Sequence, residues 1–219
     1  GRELWDLGVI AGGVGWVNRD TTRVIGSAPE GGSRSSGVAM ADLYLDTLDR
    51  VAFPTKGWNL SASWELSEDD ASGDAGGHNS YEVSFKMPVS FGRWTATGTI
   101  EAGRSTRHGE YQLGGAGRLS GSPDGRWSGS DKQFGSIGLA RNMSDQFDIG
   151  MPVWFGGSLE AGRAWNRSES SEYDSSYDDW KKAMSLYVGL DTYVGPVYLL
   201  WGKTFGEDSG LYFRWGYMR

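Results

Sequence analysis

Residues Ser80 to Phe91 alternate without a break. Tyr81, Val83, Phe85, Met87, Val89 and Phe91 fall on one side, and Ser80, Glu82, Ser84, Lys86, Pro88 and Ser90 on the other. Side chains on a strand alternate faces, so this segment is a strand with one apolar and one polar face. It runs about twice the ~5–6 residues usual in a soluble sheet. A strand tilted across a bilayer needs about 9–11 residues. The chain repeats the pattern many times, which points to a membrane-spanning sheet.

Composition is compatible with that reading. The chain has 219 residues, 38 % hydrophobic, with 35 glycines, 11 tryptophans and no cysteine. It therefore has neither a disulfide framework nor thiolate chemistry. Net charge is −7 and the isoelectric point about 4.9, which argues against nucleic acid as a partner. Mean hydropathy is only −0.47, and no apolar run reaches the ~18 residues of a membrane helix. A barrel strand shows lipid at every second residue only, so low average hydropathy is expected of one. Gly1 fits either a removed leader or a chain that begins inside a longer protein.

The alternation predicts ten long strands, near 3–17, 37–48, 57–67, 80–91, 94–106, 132–143, 149–166, 181–194, 197–205 and 210–219. One further hairpin around the first strand would make twelve. The fold class expected is all-β, an antiparallel transmembrane barrel in one domain spanning 1–219. Links at 49–56, 91–93 and Gly195-Pro196 are short, whereas 18–35, 68–79, 108–131 and 167–180 are long and polar. Such sorting of loops to one end is the habit of outer-membrane barrels. Trp58, Phe91, Trp94 and Tyr217 sit at the short-turn ends, where a lipid-interface girdle belongs.

Asp42, Asp46, Glu65, Glu82, Lys86, Glu101, Glu160, Asp191 and Arg214 all fall on the polar strand faces. A charge facing lipid costs about 2–4 kcal/mol at the midplane, so these are expected to face the lumen. Ten strands lie between filled eight-stranded and open sixteen-stranded barrels, which favours a narrow or plugged lumen.

Asp46-Thr47-Leu48-Asp49 with Phe53-Pro54-Thr55-Lys56-Gly57 is similar to the D-x-L-D…F-P-x-x-G turn of the bacterial surface antigen barrels, the BamA/TamA-like superfamily. Leu113-Gly114-Gly115 followed by Arg118-Leu119-Ser120-Gly121 resembles its large inward-folding loop, and 156–165 the strand after it. Gly210 to Tyr217 is similar to a C-terminal barrel-assembly signal. Within the superfamily the chain is most similar to the barrel of patatin-like (type Vd) autotransporters. Most members carry Arg-Gly-Tyr or Arg-Gly-Phe in the loop, where this chain has Ser120-Gly121-Ser122. Ser before Gly resembles the patatin branch, and Arg118 is the cation nearby. The resemblance implies sixteen strands for a whole barrel, of which ten would match the last ten.

The resemblance further implies a bacterial outer-membrane location, a translocator, insertion or pore role, and no covalent chemistry. Gly114, Gly115, Arg118, Ser120 and Gly121 would form the lumen loop motif. Partners would be outer-membrane lipid (or detergent in its place), the barrel assembly machinery, a protein cargo and, in some arrangements, a second copy. Neither a catalytic set, a metal site nor a cofactor is expected. His78 and His108 fall in predicted loops as solvated residues, and the acidic stretch 169–179 lacks the ligand spacing of a calcium loop. The glycine-rich first strand (Gly8, Gly12, Gly13, Gly15) suggests a weak seam. The alternative reading is a soluble all-β carbohydrate- or ligand-binding module.

Overall fold

The computed structural model describes residues 2–3, 7–20, 33–68, 77–147, 149–166, 179–207 and 209–216. Its strands are β1 (Arg2–Glu3), β2 (Gly8–Asp20), β3 (Ser33–Asp46), β4 (Asn59–Ser67), β5 (His78–Phe91), β6 (Trp94–Ser105), β7 (Tyr111–Leu113), β8 (Trp127–Gly129), β9 (Asp131–Asn142), β10 (Val153–Trp165), β11 (Lys181–Thr192), β12 (Gly195–Thr204) and β13 (Ser209–Trp215). Eleven form one antiparallel sheet in the order β1-β2-β3-β4-β5-β6-β9-β10-β11-β12-β13, and β7-β8 is a separate ribbon. The ten long strands are the ten read from the alternation. Among the described residues β13 pairs with neither β1 nor β2, so the sheet ends in two open edges.

Three details differ from the sequence reading. The strand expected at 3–17 is two: Arg2 and Glu3 fold back on Ile10 and Val9. Glycine at position 8 suits the entry to β2, since a Cβ there would lie 2.0 Å from the Tyr44 carbonyl oxygen. The turn expected at Gly195-Pro196 lies at Tyr193–Val194, and both expected turn residues already pair with β11. Gly195 takes φ +108, which a side chain would resist, and so ends the two-residue turn. The sorting of loops has an exception, because the short β12–β13 turn lies at the long-loop end. Tyr217 and most of the acidic stretch lie outside the described residues.

The sheet curls. The link between β3 and β4 touches Trp154 on β10 and Tyr198 on β12, far along the strand order. Alternation then sorts side chains by curvature. On the convex side Ile100, Ile137, Leu159, Leu211 and Phe213 are 62–73 % exposed. On the concave side Glu101, Lys132, Glu160 and Thr204 are buried. This inverts the ordinary soluble arrangement, in which large apolar groups are inside and charges outside.

The link between β3 and β4 is a built structure. The Thr47 amide donates to the Trp58 carbonyl at 2.9 Å, and the Trp58 amide donates to Thr47 Oγ1 at 2.8 Å. Gly57 has φ +90, and a Cβ on it would meet the Thr47 carbonyl oxygen at 2.1 Å. Asp49 Oδ1 accepts from the amides of Thr55 (2.7 Å) and Lys56 (3.1 Å), and Oδ2 from the Thr55 hydroxyl. Burial alone would raise the Asp49 pKa. The bonds from Thr55 and Lys56, with Arg50 nearby, outweigh that and hold it below the usual carboxylate value.

The stability Asp49 contributes is therefore full above its unfolded value, about 3.9, and is lost as pH falls through the lower folded value. The melting-temperature difference between wild type and Asp49→Asn is expected to be largest at pH 6. It should shrink steadily below about pH 4; a pH-independent difference would contradict this origin.

Candidate functional site

Between β6 and β9 the chain turns into the barrel instead of out of it. The β7-β8 ribbon lies against β9 and β10, and Tyr111 fills the notch at Gly103, where a Cβ would sit 2.8 Å from its ring. The Tyr111 hydroxyl donates to the Tyr81 carbonyl at 2.8 Å. Leu113, Leu119, Trp127, Phe134, Ala164 and Ala183 then form one buried apolar cluster joining loop to wall. Residues 114–122 are coiled on themselves. The Gly114 amide donates to the Arg118 carbonyl (2.9 Å), and the Gly115 amide to that of Ser122 (3.0 Å).

Two carboxylates of the wall bind this coil. Arg118 Nη2 contacts both oxygens of Glu101, at 2.9 and 2.8 Å. Lys132 Nζ bridges Glu101 (3.1 Å) and Glu82 (2.6 Å) and lies 5.3 Å from the Tyr111 ring centroid. Two cations thus balance two carboxylates, as burial of charge requires. Glu160 is held differently. It accepts the Ser120 amide (2.7 Å), the Ser120 hydroxyl (2.9 Å) and the Ser158 hydroxyl (2.5 Å). Among the described residues it has no cation within ion-pair distance.

The last two strands complete the seat. Thr204 Oγ1 lies 3.2 and 3.1 Å from the Leu119 and Ser120 carbonyls and 3.0 Å from Ser122 Oγ. The Tyr212 hydroxyl donates to the Ser122 carbonyl (2.7 Å) and accepts the Gly121 amide (3.0 Å). Gly202 makes the contact possible, since a Cβ on it would fall 2.5 Å from Ser120 Cβ.

A second segment fills the lumen from the short-turn end. Phe53, with φ 47, stacks on Trp154 at 5.3 Å and 5° and meets Tyr198 at 5.0 Å. Its ring occupies the notch at Gly189, where a Cβ would lie 2.3 Å from Cζ. Ser90 Oγ donates to the Thr55 carbonyl at 2.8 Å and so ties the link to β5. Between loop and link lies a cavity of about 770 Å³, whose walls include Tyr44, Lys86, Thr97, Thr99, Ser136 and Tyr187. Among the described residues Lys86 has no carboxylate within ion-pair distance. Asp46, on the same wall, is engaged by the Tyr44 hydroxyl (2.8 Å) and the Leu48 amide (2.9 Å). The interior is thus an assembly of fixed dipoles and paired charges around a small polar space.

The residues singled out from sequence fall as follows. Glu82, Glu101, Glu160, Arg118, Ser120 and Gly121 come together in the loop seat. Gly114 and Gly115 shape the coil behind them. Asp42 stands in register with Ser63 and, through it, with Glu82, on the concave side, where Glu65 also falls. Arg214 reaches Asp124 of the loop at 3.5 Å. Asp191 pairs with Pro196 beside the turn, away from the loop seat. Phe91 and Trp94 are cross-strand partners on the convex side, and Trp58 packs near Phe85. His78 corrects its expectation. It begins β5, is 2 % exposed, and its Nδ1 lies 3.5 Å from Ser105 Oγ, because the strand starts earlier than the alternation shows. His108 is exposed. Lys132, Thr204, Tyr212 and the plug role of Phe53 were not anticipated. The available signal was glycine on the inward faces at 189 and 202, since a strand glycine often marks close approach.

The fold has a known counterpart. The crystal structure of BamA from Haemophilus ducreyi lacking POTRA domains 1–3 superposes with a TM-score of 0.70 at 14 % sequence identity. The match covers 97 % of this chain and 50 % of that one, so the chain spans about half the length of this neighbour. No family model and no curated protein matches the sequence. The likeness establishes a BamA-type β-barrel fold.

Removing Glu101 would strip the buried Lys132 and the one-third-exposed Arg118 of their shared partner, leaving Lys132 only Glu82. Glu101→Ala is expected to lower the unfolding free energy by about 1.5–3 kcal/mol. Glu65→Ala, at an exposed site, should change it by about 0.5 kcal/mol or less. Denaturant titration of both variants checks the contrast. Gly202→Val should expel the loop and expose the Arg118 peptide bond to trypsin, read by mass spectrometry of the fragments.

Proposed function

We propose that this chain is the membrane-embedded part of a bacterial outer-membrane barrel that serves as a translocator, insertion or pore module, without covalent chemistry. One observation carries the reading: alternate residues of strands up to 14 long present large apolar groups outward, while ionised side chains are buried inward. An apolar convex surface of that extent is costly in water and suited to lipid. The inward loop and the Phe53 link support a gated conduit rather than an open porin. The loop's polar contacts are ones a displaced segment could exchange for water, whereas the Phe53 link is held by aromatic stacking. The Ser120-Gly121 order supports a place near the patatin-linked branch of the superfamily it resembles. Barrel lipid, the assembly machinery and a protein cargo follow as partners of this role.

The experiment is direct. Refolded protein should need detergent and should shift its gel mobility between unheated and boiled samples. Monodisperse behaviour in plain buffer would instead favour a soluble binding module. Deleting residues 113–122 is expected to raise single-channel conductance in planar bilayers or to lower the unfolding midpoint. If both stay at wild-type values, the loop has no gating or packing role.

A further inference from the structure

The β9–β10 turn, described at residues 143–147 and 149–152, folds outward over the convex face of the sheet. It is pinned at several points. The Met143 amide donates to the Val153 carbonyl (2.8 Å), the Gln146 amide to the Met143 carbonyl (2.9 Å), and Arg93 is paired with Asp145. Between turn and wall is a pocket of about 350 Å³. It is lined only by apolar side chains, among them Met143, Phe147 and Ile149 of the turn and Val153, Phe155 and Val188 of the wall. The volume lies within the ~300–1,000 Å³ range of small-molecule sites. Phe147, Ile149 and Phe155 remain about half exposed.

Arg141 stands beside this pocket. It is the cross-strand partner of Phe155 on one side and of Trp94 on the other, so all three share the convex face. Its guanidinium lies 5.6 Å from the Trp94 ring centroid. Among the described residues no carboxylate comes within ion-pair distance of it, whereas Arg93 nearby is neutralised by Asp145. A guanidinium offers paired donors matched to phosphate oxygens. Charge and apolar surface thus lie side by side at the short-turn rim, where a lipid headgroup meets its acyl chains.

We propose that this groove is a binding site for one phospholipid of the surrounding leaflet. An acyl chain fills the pocket between the turn and β10–β11, and the phosphate rests on Arg141. The site rests on the membrane reading above. It adds to that reading a specific lipid, held by a charge and a pocket rather than by general solvation of the barrel wall.

Native mass spectrometry of the protein in dodecyl maltoside tests this, with dioleoyl phosphatidylglycerol, dioleoyl phosphatidylethanolamine or dioleoylglycerol added. Wild type is expected to retain one molecule of either phospholipid and to hold dioleoylglycerol about tenfold less tightly. Arg141→Gln should weaken phospholipid retention by about tenfold. Ile149→Ser, on the exposed turn, should weaken all three lipids together. Arg107→Gln, at the opposite rim, should leave retention unchanged. Millimolar inorganic phosphate should fail to displace the lipid; displacement would mark a simple anion site and overturn the proposal. Equal retention by wild type and Arg141→Gln, or equal affinity for dioleoylglycerol, would overturn it too. The heat-dependent gel shift, scored on the same samples, separates the two readings. A wild-type shift without selective lipid retention defeats only the lipid site, and absence of the shift defeats the membrane reading itself.

Discussion

Glu101 lies on β6 with its carboxylate buried between Arg118 of the inward loop and Lys132 of the neighbouring strand. Charges removed from water cost several kcal/mol each unless geometry and partners compensate. Here compensation requires the loop, because Arg118 supplies two of the contacts to Glu101. The wall is therefore incomplete without its plug. Glu160 makes the same demand through hydrogen bonds, since the docked loop provides two of its three donors. Once these carboxylates are inside, the loop has one place to go. The outer surface is left to apolar residues.

The two ends of the lumen use different physics. At the long-loop end the coil at 114–122 is held mainly by charged and hydroxylic contacts, with Leu113, Leu119 and Trp127 as its apolar anchor on the wall. At the short-turn end the contacts are aromatic, Phe53 on Trp154 and Tyr198, with the Trp154 indole N–H without a partner among the described residues. A polar plug exchanges its bonds for water at modest net cost, whereas an aromatic one must expose apolar area. The loop is thus the end better suited to movement, and the Phe53 link the end better suited to hold position.

How far the sequence could be read follows from the period of the strand. Ten long strands were legible because alternation reports one face against the other over ten or more residues, as at 80–91. The bounds of the first were not, because glycines at 8, 12, 13 and 15 erase the contrast between faces. The charges of the concave side were legible one by one, but their pairing was not. Glu101 meets Arg118 and Lys132 through curvature, and nothing in local spacing encodes which strand a loop will face. Phe53 was read as part of a turn motif. Its partners are some hundred residues away, and only the empty space at Gly189 hints that something large must enter there.

Those separations carry a consequence in time. Gly121 bonds Tyr212 across 91 residues, and Ser122 bonds Thr204 across 82. Contacts so distant along the chain bear a large loop-closure entropy and form late. β12 and β13, the last two described strands, complete the seat of the loop. Until they pair, the Leu119, Ser120 and Ser122 carbonyls lack Thr204 and Tyr212 as partners and stay hydrated. The barrel wall therefore assembles around a wet lumen, and the plug seats when the C-terminal hairpin arrives.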